Sequence, residues 1–118
     1  MIISRFTKNW YKIEAATEVW VTEAILIEVG NGLSAVNRAG AVEFIQSCYQ
    51  TPNIHVVPVN TALLERALRL YGTRADKTWG LTDCISFVVM QEQNLTEAVT
   101  ADEHFVQAGY RALLLINN

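Results

Sequence analysis

Long hydrophobic runs, paired cysteines and an excess of positive charge are all missing from this 118-residue sequence. No stretch approaches the roughly 18 apolar residues of a membrane span, and the apolar run in MIISRFTKNW is too short for a signal peptide. The two cysteines, Cys48 and Cys84, lack the C-x-x-C spacing of zinc and redox sites. Set among apolar residues, they read as buried free thiols of a reducing compartment. Nine Lys and Arg against twelve Asp and Glu give a net charge of −3. No global positive field therefore holds a nucleic-acid backbone, and contact with one needs a local patch or a bridging cation. No Ser-His-Asp spacing, P-loop or G-x-G-x-x-G occurs, which removes support for acyl transfer and nucleotide-motif readings. Only two prolines, Pro52 and Pro58, are present, both in one short segment. With no linker, repeat or low-complexity tract, the chain reads as one domain over residues 1–118, expected in the cytoplasm.

What is present is a core-forming composition, 51% hydrophobic and 18% charged. Glu18 to Thr22 (EVWVT) reads as a buried strand, followed by ILIEVGNGLS with Ile25, Leu26, Val29 and Leu33 at helical spacing. A second helix is expected from Arg38 to Tyr49, a strand from Ile54 to Val59 with Pro58 marking an edge or an end, and a helix capped by Asn60 through about Leu70. A polar loop over Gly72 to Trp79 precedes a helix from about Thr82 to Glu92 that is apolar nearly all round, the mark of a central buried helix. Ala98 to Ala101 reads as a strand, Glu103 to Ala108 as a short helix and Ala112 to Ile116 as a final strand. Alternating strands and helices imply a parallel sheet covered on both faces, with ligands outside the carboxyl ends of its strands.

Three acids fall near that end. Asp102 follows a strand, Asp83 opens the buried helix and Glu28 lies one turn into the helix after EVWVT. Clustered carboxylates suit hard divalent ions such as Mg²⁺ or Mn²⁺, which activate water and stabilise the charge of phosphodiester cleavage. Each acid also has a structural reading. Asp83 favours a helix dipole, and Asp102 can cap a helix, with Thr100 and Glu103 matching a capping box. Glu28 interrupts an apolar helical run, where a structural role needs a buried cationic partner. Asp76 and Lys77 read as a loop pair or the rim of a site. His104 can position substrate or be a half-buried satisfied side chain, and His55, within a strand, reads as structural.

VTEAILIEVGNGLS, DKTWGLTDCISFVVM and LTEAVTADEHFVQAGYRALL, in that order, resemble the VapC-toxin-like group of PIN-domain proteins over about residues 18–116. The resemblance implies an α/β/α sandwich around a central parallel sheet. It also implies a Mg²⁺- or Mn²⁺-dependent endoribonuclease, RNA as substrate, an antitoxin partner as in type II toxin-antitoxin pairs, and a homodimer. Glu28, Asp83 and Asp102 match the family's metal-binding acids, with Asp76 and Glu103 as auxiliary candidates.

The sequence departs from the family at its start. The family begins with a hydrophobic strand ending in an aspartate, whereas none of Met1 to Asn9 is acidic. The first strand is thus missing or replaced, and activity is expected to be impaired. MIIS (1–4) can fill the place, with Ser4 where the aspartate belongs. A second chain can instead complete the sheet, or the chain is N-terminally truncated relative to the family. The alternative function is a catalytically degenerate module for protein interaction or dimerisation, with Trp10, Trp20 and Trp79 among its apolar residues.

Overall fold

The computed structural model describes residues 2–4 and 18–115. Its elements, in chain order, are β1 (Ile2–Ser4), β2 (Glu18–Thr22), α1 (Glu23–Leu33), α2 (Arg38–Gln50), β3 (Ile54–Val57), α3 (Thr61–Thr73), α4 (Leu81–Glu92), β4 (Glu97–Ala98), α5 (Glu103–Gln107) and β5 (Arg111–Ala112), then a 3₁₀ turn at Leu113–Leu115. Trp10 and Ile116, named above, lie outside the described residues.

The expected class is the one found: helices flank a five-stranded sheet of order β3-β2-β1-β4-β5. β2 pairs with β3 in parallel and β4 with β5 in parallel. The central place is filled by Ile2–Ser4 of MIIS, but β1 runs antiparallel to both its neighbours. Ile2 lies opposite Trp20 and Ala98, and Ser4 opposite Glu18. This corrects the placing of Ser4. The strand is present but reversed, so Ser4 lies beside the first residue of β2 and not beside its carboxyl end.

Side chains alternate across the strands. On β2, Val21 packs with Leu26 of α1 and Cys48 of α2. Trp20 faces the other way, toward the cluster built on α3, α4 and α5. Cys84 to Met90 of α4 are all buried, as an all-round apolar helix requires. Phe87 is the hub of that cluster, edge-to-face with Trp79 (5.0 Å between ring centres) and Phe105 (4.8 Å) and stacked near Tyr110 (5.8 Å).

Local signals set the boundaries. The Asn60 side chain accepts from the Leu63 N–H at 2.9 Å and starts α3, which runs on through Gly72 and Thr73 because Leu63 and Ala67 seat it in the core. β3 ends before Pro58 and lies at the sheet edge, where a missing N–H costs least. Asn94, at φ 55, makes the left-handed turn after α4, and Leu95 N donates back to the Met90 carbonyl at 2.8 Å. The last two strands are shorter than expected. β4 stops at Ala98, and of ALLLI the described residues pair at Ala112 and coil over Leu113–Leu115, with Leu114 N donating to the Thr100 carbonyl. Both cysteines are buried and free. No described helix is long and apolar enough to cross a membrane.

Candidate functional site

The site begins at the N-terminus of α4. Gly80 is the N-cap, and its N–H donates to Asp83 Oδ2 at 3.1 Å, so the carboxylate sits where the helix dipole favours negative charge. Asp102 is the N-cap of α5, its Oδ1 accepting from the His104 N–H at 2.9 Å. The Asp102 N–H donates to Thr100 Oγ1 at 3.1 Å. Asp102 thus takes the capping role that the Thr100 and Glu103 pattern suggested for Thr100. Both structural readings of these aspartates hold, and each leaves the carboxylate aimed at the same space.

His104 connects them. Its Nδ1 lies 3.1 Å from Asp83 Oδ2 and 3.2 Å from Asp102 Oδ1. Its Nε2 lies 3.1 Å from Thr78 Oγ1. Ligand atoms of Asp83, Asp102 and His104 all fall within 4.8 Å of one another. The three side chains are 20%, 41% and 27% exposed, shielded yet reachable from solvent.

Beside this cluster is a cavity of about 170 Å³ lined by Trp20, Thr22, Glu28, Asp83, Ser86, Thr100 and Asp102, among others. Its wall carries three carboxylates, and none of the described lining residues is Lys or Arg. Thr22 caps α1 by accepting from the Ile25 N–H at 3.3 Å, which fixes the strand-to-helix turn carrying Glu28 to the cavity. Burial, and secondarily the Asp83 charge, push the neighbouring Cys84 thiol up from its ordinary value.

The structure therefore brings Asp83, Asp102 and Glu28 to one cavity, with Glu28 outside the tight cluster. Glu28 is exposed, as is its neighbour Ile27 at 63%. The buried side of α1 runs through Leu26, with Glu28 off it, so Glu28 needs no buried partner. Asp76 and Glu103 do not line the cavity. Asp76 is exposed and holds Arg74 at 3.1 Å and 3.3 Å, with Lys77 at 3.9 Å; the Arg74 hydrogen bonds hold its carboxyl below the usual range. Glu103 is exposed at the first turn of α5. His55 stacks on Trp20 and pairs with Glu18, the structural role expected of it.

His104 is half-buried with partners at both ring nitrogens, one of the two readings expected of it, and its junction with Asp83 and the place of Ser86 in the cavity wall were not anticipated. Two signals were available. Asp102 and His104 are two apart at a helix start, and Ser86 follows Asp83 by three, hence on the same helix face.

Comparison with known proteins bears on the family and the fold. A family model described as PIN domain matches residues 4–109. Among solved structures, VapC20 of Mycobacterium tuberculosis, described as a sarcin-ricin loop cleaving toxin, superposes with a TM-score of 0.71 at 22% identity, covering 79% of this chain and 72% of that one. At that identity the likeness speaks for the fold. No curated protein matches the sequence.

Proposed function

Since the chain belongs to the PIN-domain family, whose model spans most of it, we propose that residues 1–118 form one domain acting as a metal-dependent endoribonuclease, the toxin of a toxin-antitoxin pair. The observation that carries this reading is the convergence of Asp83, Asp102 and Glu28 on one cavity from three separate helices. Asp83 and Asp102 are the metal-holding residues, with Glu28 completing the acidic wall. The donor chemistry fits a divalent ion such as Mg²⁺ or Mn²⁺, because carboxylates held apart by fixed helix starts offer hard oxygen ligands. A bound ion would supply water activation and charge neutralisation for phosphodiester cleavage.

The chain's own residues do the positioning. The Gly80 and His104 N–H groups each hold a carboxylate oxygen in place. A wall of three carboxylates repels an RNA phosphate, so substrate entry depends on the cation. Lys77, on the loop leading into α4, carries positive charge next to Thr78, the residue bonded to His104. With no acid supplied by β1, the site has one ligand fewer than the family pattern, and turnover is expected to be low. The test is cleavage of single-stranded and structured RNA with Mg²⁺ or Mn²⁺ against an Asp83→Asn control. The variant should lose the activity, and equal activity in both proteins would sink the assignment.

A second reading, a degenerate interaction or dimerisation module, is favoured by one observation. Ile27 of α1 and Tyr49 of α2, both exposed large apolar side chains, line one groove on adjoining helices. That face is where an antitoxin or a second copy would be sought. Stoichiometric metal binding with robust turnover would count against this second reading.

A further inference from the structure

We propose that the loop from α3 to α4 holds one nucleotide of the RNA strand, its phosphate on Arg74 and Lys77 and its base in the adjoining pocket against Tyr110. The inference rests on the ribonuclease reading above and names where a chain of net negative charge grips its substrate. Two cavities meet on this loop, with Arg74 and Trp79 in the wall of both. One, of about 450 Å³, is lined by Arg74, Lys77 and Thr78, among others. The other, of about 330 Å³, is lined by Phe87, Gln91 and Tyr110, among others. No Asp or Glu is among the described residues lining either, the reverse of the cavity walled by three carboxylates.

Local contacts place the cations. The Lys77 N–H donates to the Arg74 carbonyl at 3.0 Å, a tight turn that brings both side chains to one wall. The Arg74 guanidinium lies 4.9 Å from the centre of the Trp79 ring, and the Trp79 indole N–H donates to Gln107 Oε1 at 3.0 Å. Asp76 takes the Nε and Nη2 edge of the guanidinium, and Nη1 has no hydrogen-bond partner among the described residues. Held on one edge and one face, the guanidinium loses little freedom when its other edge takes a phosphate oxygen. Lys77 meets Asp76 only at 3.9 Å, too long for a hydrogen bond, so its ammonium donors stay available. A cation at the end of α3 also suits that helix's dipole, which accounts for Arg74 at the cap but not for Lys77 three residues beyond it.

Thr78 links this loop to the acidic cluster. It lines the cationic cavity, and its Oγ1 lies 3.1 Å from His104 Nε2, on a ring that reaches Asp83 at 3.1 Å. Asp83, Phe87 and Gln91 follow at intervals of four along α4, so the second cavity begins about one helical turn, roughly 6 Å, from Asp83. A nucleotide has the two halves these cavities suit: an anion for the cationic side, and a flat ring with a polar edge for the other. Trp79 and Phe87 are 6% and 3% exposed, so the surfaces open to a base are Tyr110 and the guanidinium plane, with the exposed Gln91 amide for its edge.

The experiment is anisotropy of a short, labelled, single-stranded RNA of mixed sequence over a series of salt concentrations, on the full chain carrying Asp83→Asn so that the RNA stays intact. Lys77→Gln and Arg74→Gln should each weaken binding about fivefold at about 0.1 M salt and flatten the log–log salt slope by about 0.7, the signature of one lost phosphate contact. Lys77→Arg should restore both, and Arg38→Gln, at the start of α2, should change neither. In NMR titrations of the same protein, 5′-mononucleotides should shift the Thr78, Gln91 and Trp79 indole signals and bind more tightly than ribose 5-phosphate, which lacks the base. An unchanged salt slope in both Gln variants, or equal binding of mononucleotides and ribose 5-phosphate, overturns the proposal, and RNA cleavage by the wild type would then leave the ribonuclease reading standing. The expected binding results without cleavage by the wild type would support the nucleotide site and remove the ribonuclease reading.

Discussion

Replacing Phe87 tests how far the core governs the site. The ring is 3% exposed and meets three other aromatic rings at 4.8 to 5.8 Å, two edge-on and one stacked. Phe→Ala at a buried position costs about 3–5 kcal/mol from lost transfer energy and the cavity left behind. Each favourable ring pair adds about 0.5–1.5 kcal/mol beyond burial. Phe87→Leu keeps most of the apolar burial but loses all three pairs, so it should cost about 2 kcal/mol, and Phe87→Ala about 4 kcal/mol. Against a total stability of about 5–15 kcal/mol the alanine variant is marginal. Phe105 follows His104 directly and seats α5 against Phe87, so both variants should also loosen the Asp102 and His104 geometry. The assay is urea unfolding followed by tryptophan fluorescence and far-ultraviolet circular dichroism, with Mn²⁺ affinity measured alongside. A loss under about 1 kcal/mol for Phe87→Ala, with an unchanged urea slope, would refute the hub role.

Three more outcomes are expected. Asn60→Ala removes the acceptor for the Leu63 N–H and should lower stability by about 1 kcal/mol in the same urea assay, with no change in metal binding. Burial raises the Cys48 and Cys84 thiols, so the native state keeps these protons above the unfolded thiol value of about 8.5. That contribution is complete below this pH and is lost as pH rises through the folded values, so the urea midpoint should fall between pH 7.5 and pH 9.5, by roughly a few tenths of a molar at most, and a midpoint that rises would contradict it. Ser4→Asp should leave Mn²⁺ affinity within about twofold, since Ser4 pairs with Glu18 and the site end of β2 lies four residues on, roughly 13 Å away. A tenfold gain would mean that β1 runs the other way.

The parts of the fold legible in the sequence were those set by local chemistry. The all-round apolar pattern of α4, the Asn60 cap and the strand EVWVT need only neighbours in sequence to declare themselves. The direction of β1 was not legible, because Ile-Ile-Ser offers much the same backbone edge in either orientation and the choice depends on residues distant in the chain. The exposure of Glu28 was hidden for a related reason. Its apolar neighbours suggested a buried helix face, yet Ile27 is largely exposed and α1 meets the core mainly through Leu26, Ile25 and Ala24. Asp83 and Asp102 were legible because each stands at a helix start, a place the helix patterns fix closely. His104 is the half-buried, satisfied side chain that one of its two readings expected, but its partners were not legible, because the 3.1 Å approach is to a residue 21 positions away.

The reversal of β1 also explains why chemistry should gather on α4 and α5. A parallel central strand delivers its last residue to the site end of the sheet, which is how a strand-end acid joins the cluster. An antiparallel strand delivers its first residue there instead and carries Ser4 to the opposite edge. The sheet keeps its hydrogen bonds either way, since β1 still pairs with both β2 and β4, so sheet completion does not depend on supplying a ligand. Donors for an ion must then come from the helix starts that converge on the cavity. Among the described residues, the His104 imidazole lies within hydrogen-bond reach of both aspartates. If an ion binds, loss of the strand-end carboxylate leaves a site of lower negative charge, which weakens its hold on a hard divalent ion.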